Sequence, residues 1–195
     1  MIEVVGYDPS WPRRFVEIKE QYRAALARSD VEFAAIEHVG STSVPGLAAK
    51  PIIDCDIVVT AEHLAPASDV LVGLGFQPLG ELGIPQRWAF KEPPRLSGTN
   101  TYVILDGSLS LRNHLRLRDT LRASAELRDR YGATKMRVGA AAGSIEEYGQ
   151  GKNAVIQEIL AAAGLTDEER RVIDTAQVPS RSTPAAAGAK PTRGV

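Results

Sequence analysis

Cysteine is nearly absent from the sequence, and long apolar runs are missing altogether. The only cysteine among the 195 residues is Cys55, which excludes an internal disulfide and a zinc site built from several cysteines. No stretch approaches the roughly 18 consecutive apolar residues of a membrane-spanning helix, so we expect no membrane partner. The N-terminal stretch lacks a basic start followed by an apolar run, so we predict no signal peptide and a cytoplasmic protein.

A charge excess of either sign is also lacking. The chain has 23 Lys and Arg against 24 Asp and Glu, and its formal net charge is −1. This balance gives no electrostatic reason to expect binding to nucleic acid or to a membrane surface. The basic residues of the 112–137 stretch are interleaved with acids, and no series of aromatic side chains accompanies them for base stacking. A nucleic-acid partner is therefore not expected.

The chain is long enough for one domain with a sizeable core, which we place at residues 1–174. Strand-like and helical segments are mixed up to about residue 108, whereas 109–174 is helical in period throughout. This order predicts an α/β (α+β) fold, in which a mixed β-sheet is flanked by helices and followed by C-terminal helices. Residues 175–195 are mostly small, polar or Pro, so we predict a disordered tail there.

Caps, turns and periodicity predict the individual elements. Ser10 as N-cap and Pro12 in the first turn start the first helix. Strands are predicted at about 32–39 and 52–59, and in the segments FQPLG, RWAFKE and NTYVILDG. Between the first two strands we expect a loop with one helical turn at about 44–49.

Two carboxylates, Asp54 and Asp56, interrupt an otherwise apolar strand. Side chains of a strand alternate between its faces, so both acids point the same way. Two like charges in a partly dry site repel each other unless a cation lies between them. Oxygen ligands of this kind suit Mg²⁺ or Mn²⁺, which predicts a metal site and catalytic roles for both acids. The alternative is a half-exposed strand whose acids face water.

The segment GSTS precedes this strand and supplies Gly40, Ser41, Thr42 and Ser43. A turn of small residues lets backbone N–H groups and hydroxyls approach a phosphate closely. Lys50 could also reach a phosphate, or it could be a solvated loop lysine. A phosphate-binding turn together with a same-face acid pair is more specific than either feature alone, and it indicates nucleotide binding.

The stretch HVGSTSVPGLAAKPIIDCDIVV closely resembles the GrpB family, also known as UPF0157. That family carries the Gly-Ser and Asp-x-Asp signature of the polymerase-β-type nucleotidyltransferase superfamily. The segment LRLRDTLR is similar to the family's Phe-Arg-Asp-Tyr-Leu-Arg block. Tyr131 with Lys135, and Tyr148 with Lys152, match the family's later Tyr/Lys pairs. The resemblance spans about residues 5–163.

This resemblance implies the superfamily's mixed sheet, with Gly40 and Ser41 at a triphosphate and with Asp54 and Asp56 on metal. The chain also departs from the family's pattern. Many relatives have a His-x-His strand at residues 100–102, where this sequence reads Asn-Thr-Tyr. If those histidines bind ligand in the relatives, substrate or activity differs here.

A third acid usually completes a metal site of this kind, and Asp106 is our candidate because it continues the strand face of Tyr102. The alternative is that Asp106 belongs to an ordinary Asp-Gly turn. Tyr102 itself could contact the substrate. His38 precedes the phosphate turn and could be a ligand contact, or it could be a core histidine.

Four further residues could contact the substrate from the helical part. Arg118 and Arg122 lie four apart and could form an anion clamp, or Arg118 could pair with Asp119 and pin its helix to the sheet. Tyr148 and Lys152 are also four apart and therefore share a helix face, from which they could line the cleft.

The sequence therefore predicts a metal-dependent nucleotidyltransferase. Its partners would be an NTP, expected to be ATP, with Mg²⁺ or Mn²⁺, and a small-molecule or protein acceptor. A carboxylate acceptor would give an acyl-adenylate, so an ATP-dependent ligase is a variant of the same prediction. The alternative from another class is a non-catalytic module that binds a nucleotide or cofactor.

Overall fold

A computed structural model describes residues 1–177 of the chain. A five-stranded sheet and six α-helices form the domain, which confirms the predicted α+β fold with C-terminal helices. Within this part of the chain, no helix combines the length and the apolar character of a membrane span. The elements are α1 (Trp11–Arg28), β1 (Ala35–Val39), β2 (Ile53–Val59), α2 (Leu64–Gly73), β3 (Gln77–Gly80), β4 (Arg87–Lys91), β5 (Thr99–Leu105), α3 (Leu109–Ala123), α4 (Ala125–Ala141), α5 (Ile145–Ala162) and α6 (Asp167–Gln177).

The sheet is mixed, with the strand order β1-β2-β5-β4-β3. The pair β2 and β5 is parallel, whereas the other three neighbouring pairs are antiparallel. Alternate residues of β2, among them Cys55 and Ile57, are buried in a core shared with α1 and α2. Cys55 is therefore a packing residue, as its apolar surroundings predict. The intervening residues of β2 face the opposite side of the sheet, where the C-terminal helices lie.

Helix α3 crosses this second face and connects both halves of the sheet. Near its start, the Ser110 hydroxyl donates to the carbonyl of Pro85, just before β4, at 2.9 Å. Two turns later Arg118 donates to Glu37 of β1 at 2.6 Å. Helices α3 to α6 then share a second apolar core with the loop between β1 and β2, including Leu47. The helical part is thus fixed over the acidic face of β2.

Two predicted details differ from the structure. The helical turn expected at 44–49 is wrong, because a 3₁₀ turn forms at Ser41–Ser43 instead. The Ser43 hydroxyl closes that turn by donating to the carbonyl of Gly40 at 2.6 Å, and the positive φ of Gly46 is incompatible with continuing a helix. The predicted tail begins too early, since α6 includes residues 175–177; the rest of the predicted tail lies outside the described residues.

The antiparallel helices α4 and α5 approach each other closely at Gly151. A Cβ built on Gly151 would lie 2.5 Å from Cγ1 of Val138 on α4. Glycine in a helix costs about 1 kcal/mol relative to alanine, so a packing reason is expected for it. The close approach supplies that reason, and it sets the spacing between the Lys-bearing faces of the two helices.

Gly151→Ala should therefore lower the free energy of unfolding, by about 1–3 kcal/mol, because the new methyl group overpacks the α4–α5 contact. Gly149→Ala is the matched control on the same helix, since a Cβ there meets no atom within 4 Å. That control should raise stability by about 0.5–1 kcal/mol through helix propensity alone. Urea denaturation of the two variants tests this, and equal stabilisation of both would show that α4 and α5 do not need the glycine.

Candidate active site

The two acids of β2 lie on the face that is turned away from α1 and α2, which confirms the same-face prediction. Across the sheet, Asp56 pairs with Glu37 of β1 and with Tyr102 of β5. Asp54 pairs with Asn100 of β5, one pleat further along. The acids are therefore flanked by polar groups on both neighbouring strands. This is a local exception to the apolar character of a buried strand.

Asp56 is fully buried and is held by a histidine of α3. Its Oδ2 lies 2.7 Å from Nδ1 of His114, whereas its Oδ1 is buried with no hydrogen-bond partner among the described residues. Burial alone would lower the pKa of His114, but the charge and the hydrogen bond of Asp56 outweigh it and raise that pKa. The raised pKa favours the protonated form of His114, whose charge offsets that of the carboxylate through Oδ2 alone.

Asp54 is only half-buried, and it contacts the turn after β1. Burial raises the pKa of its carboxyl, while a hydrogen bond from Asn100 Nδ2 to Oδ1 at 2.7 Å opposes that rise. Its Oδ2 lies so close to Gly40 that a Cβ on that residue would overlap it. Gly40 also has φ +67°, where residues with a side chain are strained. Glycine at this position thus lets the turn and the carboxylate meet.

The turn is fixed by hydrogen bonds that use two of its three hydroxyls. Thr42 Oγ1 donates to the carbonyl of Ile52 at 3.0 Å, and the Ser43 hydroxyl is used within the turn. Both residues are buried, whereas Ser41 is half-buried and its hydroxyl lies by Tyr131 of α4. Of the four predicted nucleotide contacts in GSTS, Gly40 and Ser41 face the site, while Thr42 and Ser43 have structural roles.

Both arginines of the predicted clamp form hydrogen bonds within the protein. Arg118 donates to Glu37 and, at 3.1 Å, to the carbonyl of His38. Arg122 donates to the carbonyl of Ser43 at 3.0 Å from Nε and at 2.8 Å from Nη2. The two side chains fasten α3 to the strand and the turn. The structure therefore favours the pinning role over a substrate contact.

His38 is a core histidine rather than a ligand contact. Its ring stacks on Phe15 with centroids 4.6 Å apart, and its Nε2 lies 3.1 Å from Thr42 Oγ1. Burial, with the nearby charges of Arg122 and Arg118, lowers the pKa of His38 to about 4. A neutral His38 supports the turn from behind and has no charge to offer a ligand at neutral pH.

Three lysines converge near the turn, together with two tyrosines of α4 and α5. Lys135 is 1% exposed, and its Nζ has no hydrogen-bond partner among the described residues. This amine lies 4.6 Å from the ring centroid of Tyr131. Lys152 lies 4.2 Å from the ring centroid of Tyr148, and Lys50 lies 5.8 Å from the same centroid. We call Lys50, Lys135 and Lys152 the lysine cluster.

The amines of the lysine cluster are destabilised as charged groups by burial and by one another. Burial, followed by repulsion from Lys152, lowers the pKa of Lys135 to about 7. Burial, followed by repulsion from Lys50, lowers the pKa of Lys152 to about 8. Asp54 opposes both shifts, so its carboxylate acts electrostatically on both amines. A bound anion would offset the mutual repulsion of the amines.

The position of Asp106 does not fit its predicted role as third metal ligand. It is exposed and follows the end of β5, where its N–H donates to the carbonyl of Val59 at 2.9 Å. Asn100, which pairs with Asp54, is six residues before it, a span of about 20 Å in a strand. Asp106 therefore belongs to the Asp-Gly turn, and an amide, Asn100, stands beside Asp54. Within residues 1–177 no cluster of three or more His, Cys, Asp or Glu side chains could hold a metal.

The donor set still fits a divalent cation that takes part of its ligands from a bound nucleotide. Mg²⁺ commonly uses one or two protein carboxylates, with phosphate oxygens and water filling the remaining positions. Asp54 and Asp56 provide those carboxylates on one face, and the unpartnered Oδ1 of Asp56 is a buried acceptor without a donor. A site with two carboxylates therefore fits Mg²⁺ with a polyphosphate better than the metal alone.

Two side chains of this site, Lys135 and His114, were not among the candidate residues predicted from the sequence. Tyr131 and Lys135 are four residues apart, as are Tyr148 and Lys152. This repeated spacing is the sequence signal that identifies Lys135. His114 lies in a polar helix segment and has no comparable signal. Its role depends on how α3 crosses the sheet, which is a property of the tertiary structure.

Comparison with known proteins decides the family. The family model described as GrpB protein matches residues 1–162. The chain belongs to the GrpB family. The UPF0157 protein BH1888 of Halalkalibacterium halodurans is 34% identical over 169 residues, covering 85% of this chain and 84% of that protein. The crystal structure of the conserved protein GrpB from Enterococcus faecalis is 30% identical, with a TM-score of 0.72 over 83% of this chain and 96% of that chain.

A more distant likeness places this GrpB-family chain in a wider fold group. The structure of the GLD-2/RNP-8 complex matches with a TM-score of 0.51 at 13% identity, covering 96% of this chain and 75% of that chain. At this identity the likeness concerns the fold alone. The fold is nucleotidyltransferase-like, as the sequence resemblance implies.

The buried amine of Lys135 gives a pH-dependent prediction. Its pKa is about 7 in the folded protein and about 10.5 in the unfolded chain, so between these values the unfolded state binds more protons. Stability from this residue should therefore rise as pH rises. Lys135→Met should be more stable than wild type at pH 6.5, by on the order of 1–3 kcal/mol, and the difference should shrink toward pH 9.5.

Urea denaturation of ligand-free protein at pH 6.5, 8 and 9.5 measures this difference. The control is Lys19→Met on α1, which removes a partly exposed lysine from the opposite face of the sheet. If Lys135→Met is less stable than wild type at pH 6.5, the amine already has a stabilising partner. The lysine cluster then needs no bound anion to compensate its charges.

Proposed function

We propose that this GrpB-family protein is a magnesium-dependent nucleotidyltransferase that uses an NTP, with ATP as the first choice to test. The observation that carries the proposal is that the turn after β1 lies against both the acid pair and the lysine cluster. Asp54 and Asp56 suit a metal-bound phosphate, and Lys50, Lys135 and Lys152 suit further phosphates of the same chain.

Each side chain has a distinct role in this proposal. Lys135 and Lys152 bind phosphate oxygens, and the backbone and hydroxyl of Ser41 approach the phosphates at the turn. Tyr131 and Tyr148 hold the two amines in place from α4 and α5. His114 offsets the charge of Asp56 and orients its free oxygen. Asp54 and Asp56 would hold Mg²⁺, which supplies charge neutralisation at the phosphates and polarises the bond that is attacked.

The reaction is a displacement at the α-phosphorus. An oxygen or nitrogen of the acceptor forms a bond to this phosphorus, and the bond to the oxygen bridging to the β-phosphate breaks. Pyrophosphate leaves with the bonding electrons, and the acceptor's proton passes to water. Positioning and charge neutralisation dominate catalysis of this kind, which suits a site made of fixed acids and amines. A carboxylate acceptor would give an acyl-adenylate, the first step of an ATP-dependent ligase.

One observation supports a second candidate function, a nucleotide-binding module without catalysis. The residue beside Asp54 on β5 is Asn100, which donates a hydrogen bond to the carboxylate instead of adding a negative charge. An amide is a weaker metal ligand than a carboxylate. Calorimetry with each NTP, with and without Mg²⁺, followed by measurement of pyrophosphate release with a metabolite extract as the source of acceptor, separates the two. Binding without release in any extract would favour the module.

The two acids should respond differently to amide substitution. Asp54→Asn and Asp56→Asn should each weaken MgATP binding by more than about ten-fold, because a charged ligand is lost. In EDTA, Asp54→Asn should be as stable as wild type or more stable, since one of two like charges is removed. Asp56→Asn should be less stable, because His114 loses the carboxylate that compensates its burial.

Asp69→Asn on α2 is the matched control, since Asp69 is exposed on the opposite face of the sheet. It should change neither MgATP affinity nor stability by more than the experimental error. Unchanged MgATP affinity in both site variants would remove the acid pair from the nucleotide site. The asymmetry in EDTA is measured by urea denaturation of the same samples.

A further inference from the structure

Strand β4 brings two cations to the face of the sheet that bears the acid pair. Arg87 pairs with Ile104 of β5, and Ala89 pairs with Tyr102. Opposed residues of antiparallel strands point to the same side, so Arg87 and Ala89 share the face of Tyr102. Lys91, two residues after Ala89, shares it as well. We call Arg87 and Lys91 the β4 basic pair.

Arg87 is a half-buried cation that has no anionic partner among the described residues. The carbon at the centre of its guanidinium lies 4.5 Å from the ring centroid of Tyr102. Its Nε is buried and has no hydrogen-bond partner, and within residues 1–177 the guanidinium forms no ion pair. The aromatic ring offsets only part of the cost of removing such a charge from water. A buried donor without a protein acceptor is available to an anion or to water.

The β4 basic pair is separate from the lysine cluster. The cluster belongs to the turn after β1 and to α4 and α5, whereas β4 is on the far side of β5 from β2. Tyr102 lies between the two regions, because it pairs with Asp56 on one side and with Ala89 on the other. Adjacent strands are about 4.8 Å apart, so β4 is roughly 10 Å from the acid pair across the sheet. This distance is comparable to the length of a small molecule.

We propose that Arg87 binds an anionic group, a carboxylate or a phosphate, of the acceptor. This rests on the proposed function, since it uses the acid pair as the reaction centre. The lysine cluster already provides cations for the nucleotide phosphates on the β1 side. A second set of cations on the β4 side would place a charged acceptor with its reacting atom toward Asp54 and Asp56. Arg is suited to this task because its planar fork binds carboxylate or phosphate oxygens in pairs.

The Nε–H group of Arg87 can be followed directly by ¹⁵N NMR of the full-length protein, with the signal identified by its loss in Arg87→Lys. Metal-free wild-type protein is titrated with sodium acetate, sodium phosphate or sodium chloride at constant ionic strength. We expect acetate or phosphate to shift the Arg87 signal to saturation, and chloride not to shift it. Half-saturation should occur at a concentration at least about ten-fold below that needed for Arg28, an exposed arginine at the end of α1.

The two anions distinguish the chemistry of the acceptor group. Tighter binding of acetate indicates a carboxylate, and tighter binding of phosphate indicates a phosphate. Lys135→Met distinguishes the location: the shift of the Arg87 signal should persist in this variant, and its loss would show that the anion binds at the lysine cluster instead. The absence of a shift in both anions, or an equal shift in chloride, would also overturn the assignment of Arg87.

Calorimetry with MgATP on the same wild-type sample tests the proposed function separately from this inference. If MgATP binds but no anion shifts the Arg87 signal, the acceptor site is wrong and the nucleotide site stands. If the anions act at Arg87 but MgATP does not bind, the nucleotidyltransferase proposal is wrong, and the acceptor assignment that depends on it is overturned as well.

Discussion

Two carboxylates on one face of a buried strand are the constraint on which the rest of this structure depends. Asp54 and Asp56 lie on β2, near the middle of the sheet, and at Asp54 removal from water and repulsion by Asp56 both oppose ionisation. The protein compensates at each acid separately. His114 offsets the charge of Asp56, and the amide of Asn100 donates to Asp54. Among the described residues Oδ1 of Asp56 has no hydrogen-bond partner, so His114 compensates the carboxylate on one oxygen only.

The same constraint explains why the sheet needs its helical part. The sheet supplies the acids, but His114 comes from α3, and two of the three amines come from α4 and α5. Arg118 and Arg122 fasten α3 to β1 and to the turn, so the cations stay fixed relative to the acids. The fold thus holds cations that repel one another close to acids that repel one another. A polyphosphate with a divalent cation would offset both repulsions at once.

Much of the architecture could be predicted from the sequence because it depends on local periodicity. The five strands and the helical C-terminal part follow from alternation and helical spacing, and the same-face position of Asp54 and Asp56 follows from the pleat alone. The turn at Ser41–Ser43 was misplaced because a side-chain hydrogen bond from Ser43 to Gly40, rather than periodicity, decides it. Three-residue turns of this kind have no repeating pattern to detect.

Only those parts of the site whose residues lie close together in the sequence could be predicted. Gly40, Ser41 and the acid pair lie within a short stretch, and Tyr148 and Lys152 lie on one helix face. Asp106 was misassigned because the strand face was extended beyond the end of β5, where the chain turns. The roles of His114, Arg87 and Asn100 depend on strand order and on the path of α3, which no local pattern encodes.

The central claim is that the acid pair binds a metal that also contacts a nucleotide held by the lysine cluster. A crystal grown with Mn²⁺ and an ATP analogue that cannot be cleaved between the α- and β-phosphates tests it most directly, through the anomalous scattering of Mn²⁺. The account predicts an anomalous peak within coordination distance of a carboxylate oxygen from each of Asp54 and Asp56, with phosphate oxygens on the same ion and on Nζ of Lys135. A nucleotide bound elsewhere, or the absence of a manganese peak at the two acids at saturating Mn²⁺ and analogue, would contradict it.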